Sequence, residues 1–503
     1  GGVSVLDDTD SDIQVPNNIN SFLWGQYVVP TEGGVWQKSS WQNIRNINYF
    51  MTHYQSVQAA EADVNIYVAE MRFFRALEYF NKIQLLGDVP WLEVDLNVDS
   101  EELYGPKMKR NQVFQKIIED LDFAIQWLPE AGSEEANRLN KDIARHVKAR
   151  FCLNEGTHYK YHDELEYASE AEKWLQMAAT ESDKLITSGR YEIYNTGHPQ
   201  EDYFNMYRID DKSDLKEAVL YVDYKTNIRE HNMAAAGREA GCGFSKSFVE
   251  SFLCSDGLPI SLSNKYLGDE TMRKETANRD PRLKQLILTN DFPTNVTDDL
   301  KDSTFVVNED EFITQHCFTG YRPIKGFNPI YSQALYMKSS FDGIAYRYAE
   351  TLLINAEAKA ELNTITNADL DRTVNQLRDR VGMPHLTVNV GFTDPKWPDW
   401  GYSLSPVLQE IRRERCIELA GEGFRFNDLK RWKAGKLLNN VLTYVGKRKP
   451  DGNLAIVYPN YTNPDLSYQA GKSRTWEDKM YLYPIPTGEL QRNPQLLPQN
   501  PGW

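Results

Sequence analysis

The segment Ile411–Trp432, with Glu410 just before it, sets Arg412, Arg413 and Arg415 among Glu410, Glu414 and Glu418. It breaks at Gly421-Glu422-Gly423 and restarts as a second amphipathic run. The three glutamates recur every four residues, so on a helix each carboxylate lies beside a guanidinium of the next turn. Two glycines stop that helix and allow a tight reversal. The segment therefore predicts an ion-paired helix–turn–helix hairpin.

Other segments supply more helices of the same kind. Trp41–Val57 and Asp63–Leu86 read as helical, the second with Phe73, Ala76, Leu77, Phe80 and Ile83 on one face before a stop at Gly87-Asp88-Val89-Pro90. Asn111–Leu128 closes at Pro129, and Lys141–Glu155 and Ala168–Ser188 have Gly156 and Gly189 near their ends. Ala144 and Ala149, then Ala168, Ala171, Ala178 and Ala179, put small side chains where helices approach closely. Helices resume at Ile344–Leu362, Asn367–Val381, Ser405–Ala420 and Phe424–Lys436.

The first forty residues are polar and irregular, and residues 191–341 change character again. Short β-like runs (Glu217–Tyr224, Leu283–Leu288, Phe305–Val307) sit there among long Gly-, Pro- and Asp-rich loops. So large an irregular stretch is usually functional. The expected fold is mostly α, with a TPR-like helical-hairpin scaffold over 41–190 and 342–440. A large irregular insertion with short strands fills 191–341, and a loop-rich tail covers 441–503, all within one domain spanning 1–503.

Length and charge narrow the function. At 503 residues the chain can build a large core or several helical layers. Its 56 Lys and Arg against 72 Asp and Glu leave a formal charge of −16, which repels phosphate backbones and anionic membrane surfaces, so no nucleic-acid partner is expected. No window comes near the roughly 20 uninterrupted apolar residues of a membrane-spanning helix. Cys152, Cys242, Cys254, Cys317 and Cys416 form no CxxC pair and read as small core or loop residues. Aromatic residues make up 12% of the chain, enough to fill the core and still set several rings on exposed loops as binding surface. The opening Gly1-Gly2-Val3 looks like a processed or truncated terminus.

Four segments, taken in order, resemble the signature segments of the SusD/RagB family. They are Met71–Pro90 (MRFFRALEYFNKIQLLGDVP), Ala345–Glu361 (AYRYAETLLINAEAKAE), Ile411–Trp432 (IRRERCIELAGEGFRFNDLKRW) and the close Pro484–Trp503. The resemblance covers nearly the whole chain. It implies a nutrient-binding lipoprotein on the extracellular face of the Bacteroidetes outer membrane, held by a lipid-bearing cysteine upstream of Gly1. Such a protein caps a SusC-like TonB-dependent transporter and captures oligo- or polysaccharide. A peptide-binding, RagB-like member would share the scaffold but use a deeper, more polar cavity, and a helical-repeat glycan-active enzyme would show turnover.

A sugar ring presents C–H groups on one face and hydroxyls around its edge, so it stacks on a flat aromatic ring while charged or amide groups reach the hydroxyls. By resemblance to starch-binding relatives, a first ligand loop maps to Leu23–Trp36, where Trp24, Tyr27 and Trp36 sit among Gly25, Gly33 and Gly34. One of the two tryptophans is expected in the core, and at least one at the ligand. A second loop maps to Asn232–Phe244, where Arg238 and Glu239 can reach hydroxyls. Phe244 stands there in place of a stacking Trp, with less area and no N–H. A third, Gly320–Tyr331, puts Arg322 and Lys325 beside Phe327 and Tyr331, either as hydroxyl donors or as ion-pair partners in an acidic protein. Trp397 and Trp400 are expected to be exposed at a prolyl turn, and Trp91 to pack.

His158 and His162 are one turn apart with Asp163 adjacent, a spacing that can hold zinc. No HExxH and no third ligand accompany them, and an exposed pair beyond the helix end is the simpler reading. Carboxylates are too abundant for Glu309–Glu311 or Asp298–Asp299 to signal glycoside hydrolysis. No GxSxG, P-loop or GxGxxG occurs. No catalytic residue, metal or cofactor is expected.

Overall fold

A computed structural model describes residues 6–18, 20–133, 137–238, 240–456 and 474–503, with the backbone alone for 236–238 and 456. Two compact units form, one of Gly1–Gly25 with Ser182–Trp476 and one of Gln26–Glu181 with Glu477–Trp503. Glu239 and residues 457–473 lie outside the described residues.

The smaller unit is helical. Gln42–His53, Glu61–Leu86, Arg110–Trp127 and Lys141–Tyr161 pack in sequence, each on the next. In Glu61–Leu86 the apolar stripe of Phe73, Ala76, Phe80 and Ile83 is buried, and Phe80 stacks on Phe151 with ring centroids 3.6 Å apart. The helix stops where Gly87 takes φ +74°, a left-handed conformation natural to glycine, and a Cβ there would come within 2.9 Å of Leu482. Lys141–Tyr161 does not stop near Gly156 as expected. A Cβ at Gly156 would meet Leu175 of helix Ala168–Ser188 at 2.9 Å, so this glycine lets two helices approach instead of ending one. The longer helix carries His158 and His162 inward: both are buried, stacked at 4.0 Å, and His162 Nδ1 lies 2.8 Å from Glu164. The expected exposed pair is therefore a packed one.

In the larger unit, helices Tyr348–Glu361, Pro406–Glu418 and Arg425–Arg431 accompany the irregular region. Short antiparallel pairs tie that region together: Gln14–Pro16 with Cys242–Phe244, Ala218–Val222 with Gly343–Arg347, Asn295–Val296 with Ser303–Thr304, and Val445–Arg448 with Leu454–Ile456. Phe204, Phe248, Phe252, Leu283, Leu286 and Phe327 belong to its core. Three segments differ from expectation. Gly343–Arg347, read as a helix start, is a strand because Ala218–Val222 supplies its partner, and the helix begins at Tyr348. Leu283–Leu288 is mostly helix Arg282–Leu286, which turns Leu283 and Leu286 to the same core; an alternating strand would split them. The strand near Phe305–Val307 is instead Ser303–Thr304.

The Glu- and Arg-rich hairpin forms, with Gly421 and Gly423 at φ +83° and +82° between its helices. Its ion pairs run mainly to other elements. Glu418 takes Arg347 at 2.7 Å, Arg380 at 2.6 Å and Arg282 at 3.0 Å, while Glu414 pairs with Arg282 and Arg378. Arg415 reaches Asp428 across the turn and Arg431 reaches Glu357. Within Pro406–Glu418, the intrahelical pair among the described residues is Arg413–Glu410 at 3.2 Å.

Candidate functional site

Strand Ala218–Val222 leads to a turn in which Lys225 and Arg229 exchange two backbone hydrogen bonds at 2.9 Å. A second segment, 330–339, is fastened beside it. His231 and Ser339 exchange N–H···O bonds at 2.9 and 3.1 Å, and Met337 N donates to Asn232 Oδ1 at 3.1 Å. At the far end Tyr331 N donates to Val296 O at 2.9 Å. Met337 takes φ +54°, an uncommon conformation for a residue with a Cβ that costs on the order of 1–3 kcal/mol. The bonds on either side hold it there.

This braced segment lifts two phenol rings into solvent: Tyr331 is 49% exposed and Tyr336 78%. Leu335, Met337 and, from the turn, Ile228 are exposed as well. In the turn, Tyr224 meets His231 edge-on at 4.5 Å, with the Arg229 guanidinium 4.9 Å over its ring. His231 Nδ1 accepts from Met233 N at 3.1 Å, which makes Nε2 the donor to Phe341 O at 2.8 Å. Burial pushes the His231 pKa down and favours the neutral ring. Lys338 pairs with Glu230 at 3.2 Å at the edge. The arrangement offers aromatic faces for stacking and guanidinium, ammonium and amide groups for edge hydrogen bonds. Among the described residues, no group of three His, Cys, Asp or Glu side chains could hold a metal ion.

Of the residues singled out in the sequence, Tyr331 is the one this platform contains. Trp24 is a core side chain, 6% exposed and edge-on to Tyr444 at 5.6 Å. Tyr27 is half-buried against the edges of Tyr483 and Trp503, and burial raises its pKa. Trp36 ends a short helical turn, Gly34–Trp36, half-buried edge-on to Trp41 at 5.2 Å. Phe244 is fully buried on strand Cys242–Phe244 against Phe248 at 4.7 Å, so it offers no open face. Lys325 is buried too, donating to Glu422 at 2.6 Å, Ala420 O at 2.9 Å and Tyr203 Oη at 3.0 Å; burial pulls its pKa down to about 8. It takes the ion-pair alternative. Arg322 is half-buried with its guanidinium 5.4 Å from the Phe327 ring centre. Arg238 ends helix Met233–Arg238, and its side chain lies outside the described residues. Trp400 is buried, not exposed, and Trp397 is half-buried.

Sequence reading missed Tyr336 and Tyr224. The signal for Tyr336 was present, an apolar Leu335-Tyr336-Met337 run with neither helical nor strand periodicity in a polar loop.

Comparison with known proteins places the fold. SusD-like protein P2 of Formosa agariphila is 25% identical over 88% of this chain and 75% of its own. A solved SusD-like protein from Bacteroides fragilis superposes with a TM-score of 0.75 at 23% identity, covering 99% of this chain and 93% of the other. A second B. fragilis structure, a SusD-like carbohydrate binding protein, gives 0.73 at 21% identity over 98% and 93%. Residues 186–503 match the SusD family, and this chain belongs to it.

Proposed function

We propose that this protein captures oligo- or polysaccharide at the cell surface and passes it to a SusC-like TonB-dependent transporter without cleaving it. The observation that carries the reading is the braced 330–339 segment, which holds Tyr331 and Tyr336 exposed at the cost of a left-handed Met337. Sugar faces stack on such rings, and a loop fixed beforehand loses little entropy on binding. Family membership and a carbohydrate binding relative of the same fold support it. Trp36 and Tyr27, in the other compact unit, keep partly open faces and are proposed as sugar contacts in their own right. Among the described residues no helix is long and apolar enough to cross a membrane. Attachment through a lipid upstream of Gly1, and delivery to the transporter, follow from the family resemblance.

Affinity electrophoresis through gels loaded with starch, laminarin, mannan, xylan or galactan tests the reading, with product analysis alongside. At least one polysaccharide should retard the protein and release no shorter product. Tyr331→Ala and Tyr336→Ala should each weaken retardation about tenfold, or about 1.4 kcal/mol, at unchanged circular dichroism. Retardation as strong as the wild type's in both variants would remove the tyrosine loop as the site, and binding of peptides alone would remove the glycan reading.

A further inference from the structure

The larger unit also encloses a cavity of about 580 Å³ that no residue of the tyrosine loop lines. Its size falls in the range of about 300–1,000 Å³ typical of small-molecule sites. Its walls come from the 394–400 turn, helix Pro406–Glu418, helix Lys246–Ser251 and the 436–443 turn.

Trp397 gives the cavity a fixed aromatic wall. Its indole N–H donates to Glu410 Oε1 at 2.7 Å, its ring lies 6.1 Å from Phe392, and Pro398 follows it along the same wall. The plane of that ring is set before any ligand arrives.

Four of the five cationic groups of the lining are already matched, and the fifth, Lys436, is exposed. Arg413 is held by Asp394 at 2.6 Å, Arg425 by Asp12 at 2.7 Å, Arg412 by Glu361 at 2.9 Å and Lys396 by Glu250 at 2.9 Å. A charged ligand that engaged any of these four would have to break its pair, most of them buried, and leave the partner uncompensated. Two amides stand apart. Gln409 Oε1 accepts the Trp400 indole N–H at 2.6 Å, and Asn440 Oδ1 accepts Leu442 N at 3.0 Å. Each therefore keeps an NH₂ group with no acceptor among the described residues, on the lining of the cavity. A fixed aromatic face, free amide donors and buried charges that are already matched describe the counterpart: a neutral molecule, hydroxylated at its edge and apolar on one face.

We propose that this cavity is a second carbohydrate subsite, taking one or two neutral sugar rings stacked on Trp397 and hydrogen-bonded by Gln409 Nε2 and Asn440 Nδ2. It extends the glycan reading to a separate place and depends on different residues. Calorimetric titration of the whole chain with millimolar maltose, cellobiose, laminaribiose, mannobiose, galactobiose and xylobiose tests it, with digalacturonic acid as the charged comparison and adenosine as a flat, nitrogen-rich one. At least one neutral disaccharide should bind, and the charged one should not. Gln409→Glu keeps the acceptor for Trp400 but removes the donor, and should weaken binding about tenfold. Trp397→Ala should do at least as much, while Trp397→Phe, which keeps a ring, retains most of the affinity.

The proposal is overturned if no neutral disaccharide binds, if adenosine binds in their place, or if Gln409→Glu and Trp397→Ala bind as wild type does. Should Trp397→Ala fail to fold, Gln409→Glu and Trp397→Phe decide the matter. Polysaccharide retained in gels without any disaccharide bound would sink this cavity and leave the tyrosine loop standing.

Discussion

Trp24 and Trp36 come from one glycine-rich stretch, yet they belong to different compact units and are buried to different degrees. Trp24 lies edge-on to Tyr444, and the carbonyl of neighbouring Leu23 accepts Thr475 N at 3.2 Å. Trp36 rests half-buried on Trp41. Removing a buried ring costs about 3–5 kcal/mol, so Trp24→Ala should lower the urea midpoint strongly while the folded fraction binds polysaccharide as before. Trp36→Ala should do the reverse, with a small midpoint shift and weaker retention. A Trp24→Ala protein with an unchanged midpoint and lost binding would reverse these assignments. The sequence showed that glycines loosen this stretch; it could not show which ring enters the core. That choice is made by residues more than four hundred positions away, at Tyr444 and Thr475. Phe244 and Lys325 followed the same logic, since each is claimed by a distant partner, Gln14 or Glu422, that no local pattern reveals.

At the scale of the element, the hairpin Pro406–Arg431 is where buried charge is concentrated. Glu418 is fully buried, and burial alone would push its carboxyl up; the guanidiniums of Arg380, Arg347 and Arg282 outweigh that and hold it well below the usual carboxylate range. Glu418→Gln leaves three buried guanidiniums short of a counter-charge and should cost about 3–5 kcal/mol of unfolding free energy. By contrast Arg273 and Asp291, 3.1 Å apart but largely exposed, should contribute under about 1 kcal/mol, so Arg273→Ala hardly moves the midpoint. Equal midpoint shifts for the two variants would show that the hairpin's charges are solvated after all. The four-residue glutamate spacing made the hairpin legible to within a few residues at each end. Its partners were not legible, because Arg282, Arg347, Arg378 and Arg380 stand upstream in segments that read as loop or unrelated helix. Periodicity reports the face of an element; what covers that face is decided by the rest of the chain. The same limit explains Leu283–Leu288, too short a run for spacing to separate strand from helix.

For the molecule as a whole, these buried carboxylates shape stability against pH in two opposed limbs. Asp8 accepts hydrogen bonds from Gly421 N at 2.7 Å and Arg425 N at 2.9 Å. Its burial nevertheless pushes the carboxyl from 3.8 to about 7, against the lowering by those two backbone groups. Between these values the folded chain holds a proton that the unfolded chain has released. Stability follows the protons bound by the unfolded state minus those bound by the folded one, here negative, so it falls as pH rises through the window. For one group the slope reaches about 1.4 kcal/mol per pH unit. Glu217 and Glu275, raised by burial, act in the same direction, and so does self-repulsion in a chain of charge −16. On the acid side the sign reverses. Burial pushes Glu418, Glu422 and Asp428 up, but their cationic partners hold all three below their ordinary values. Their contribution is complete above the unfolded pKa and is lost as pH falls through the folded one. The two limbs meet on the acid side of neutrality. Urea midpoints taken at about pH 3, 5 and 7.5 should therefore be highest at about pH 5, and Asp8→Asn should flatten the limb from pH 5 to 7.5 while leaving the acid limb in place. A wild-type midpoint that climbs from pH 5 to 7.5 would mean that Asp8 is ionised in the fold, its two backbone donors outweighing its burial.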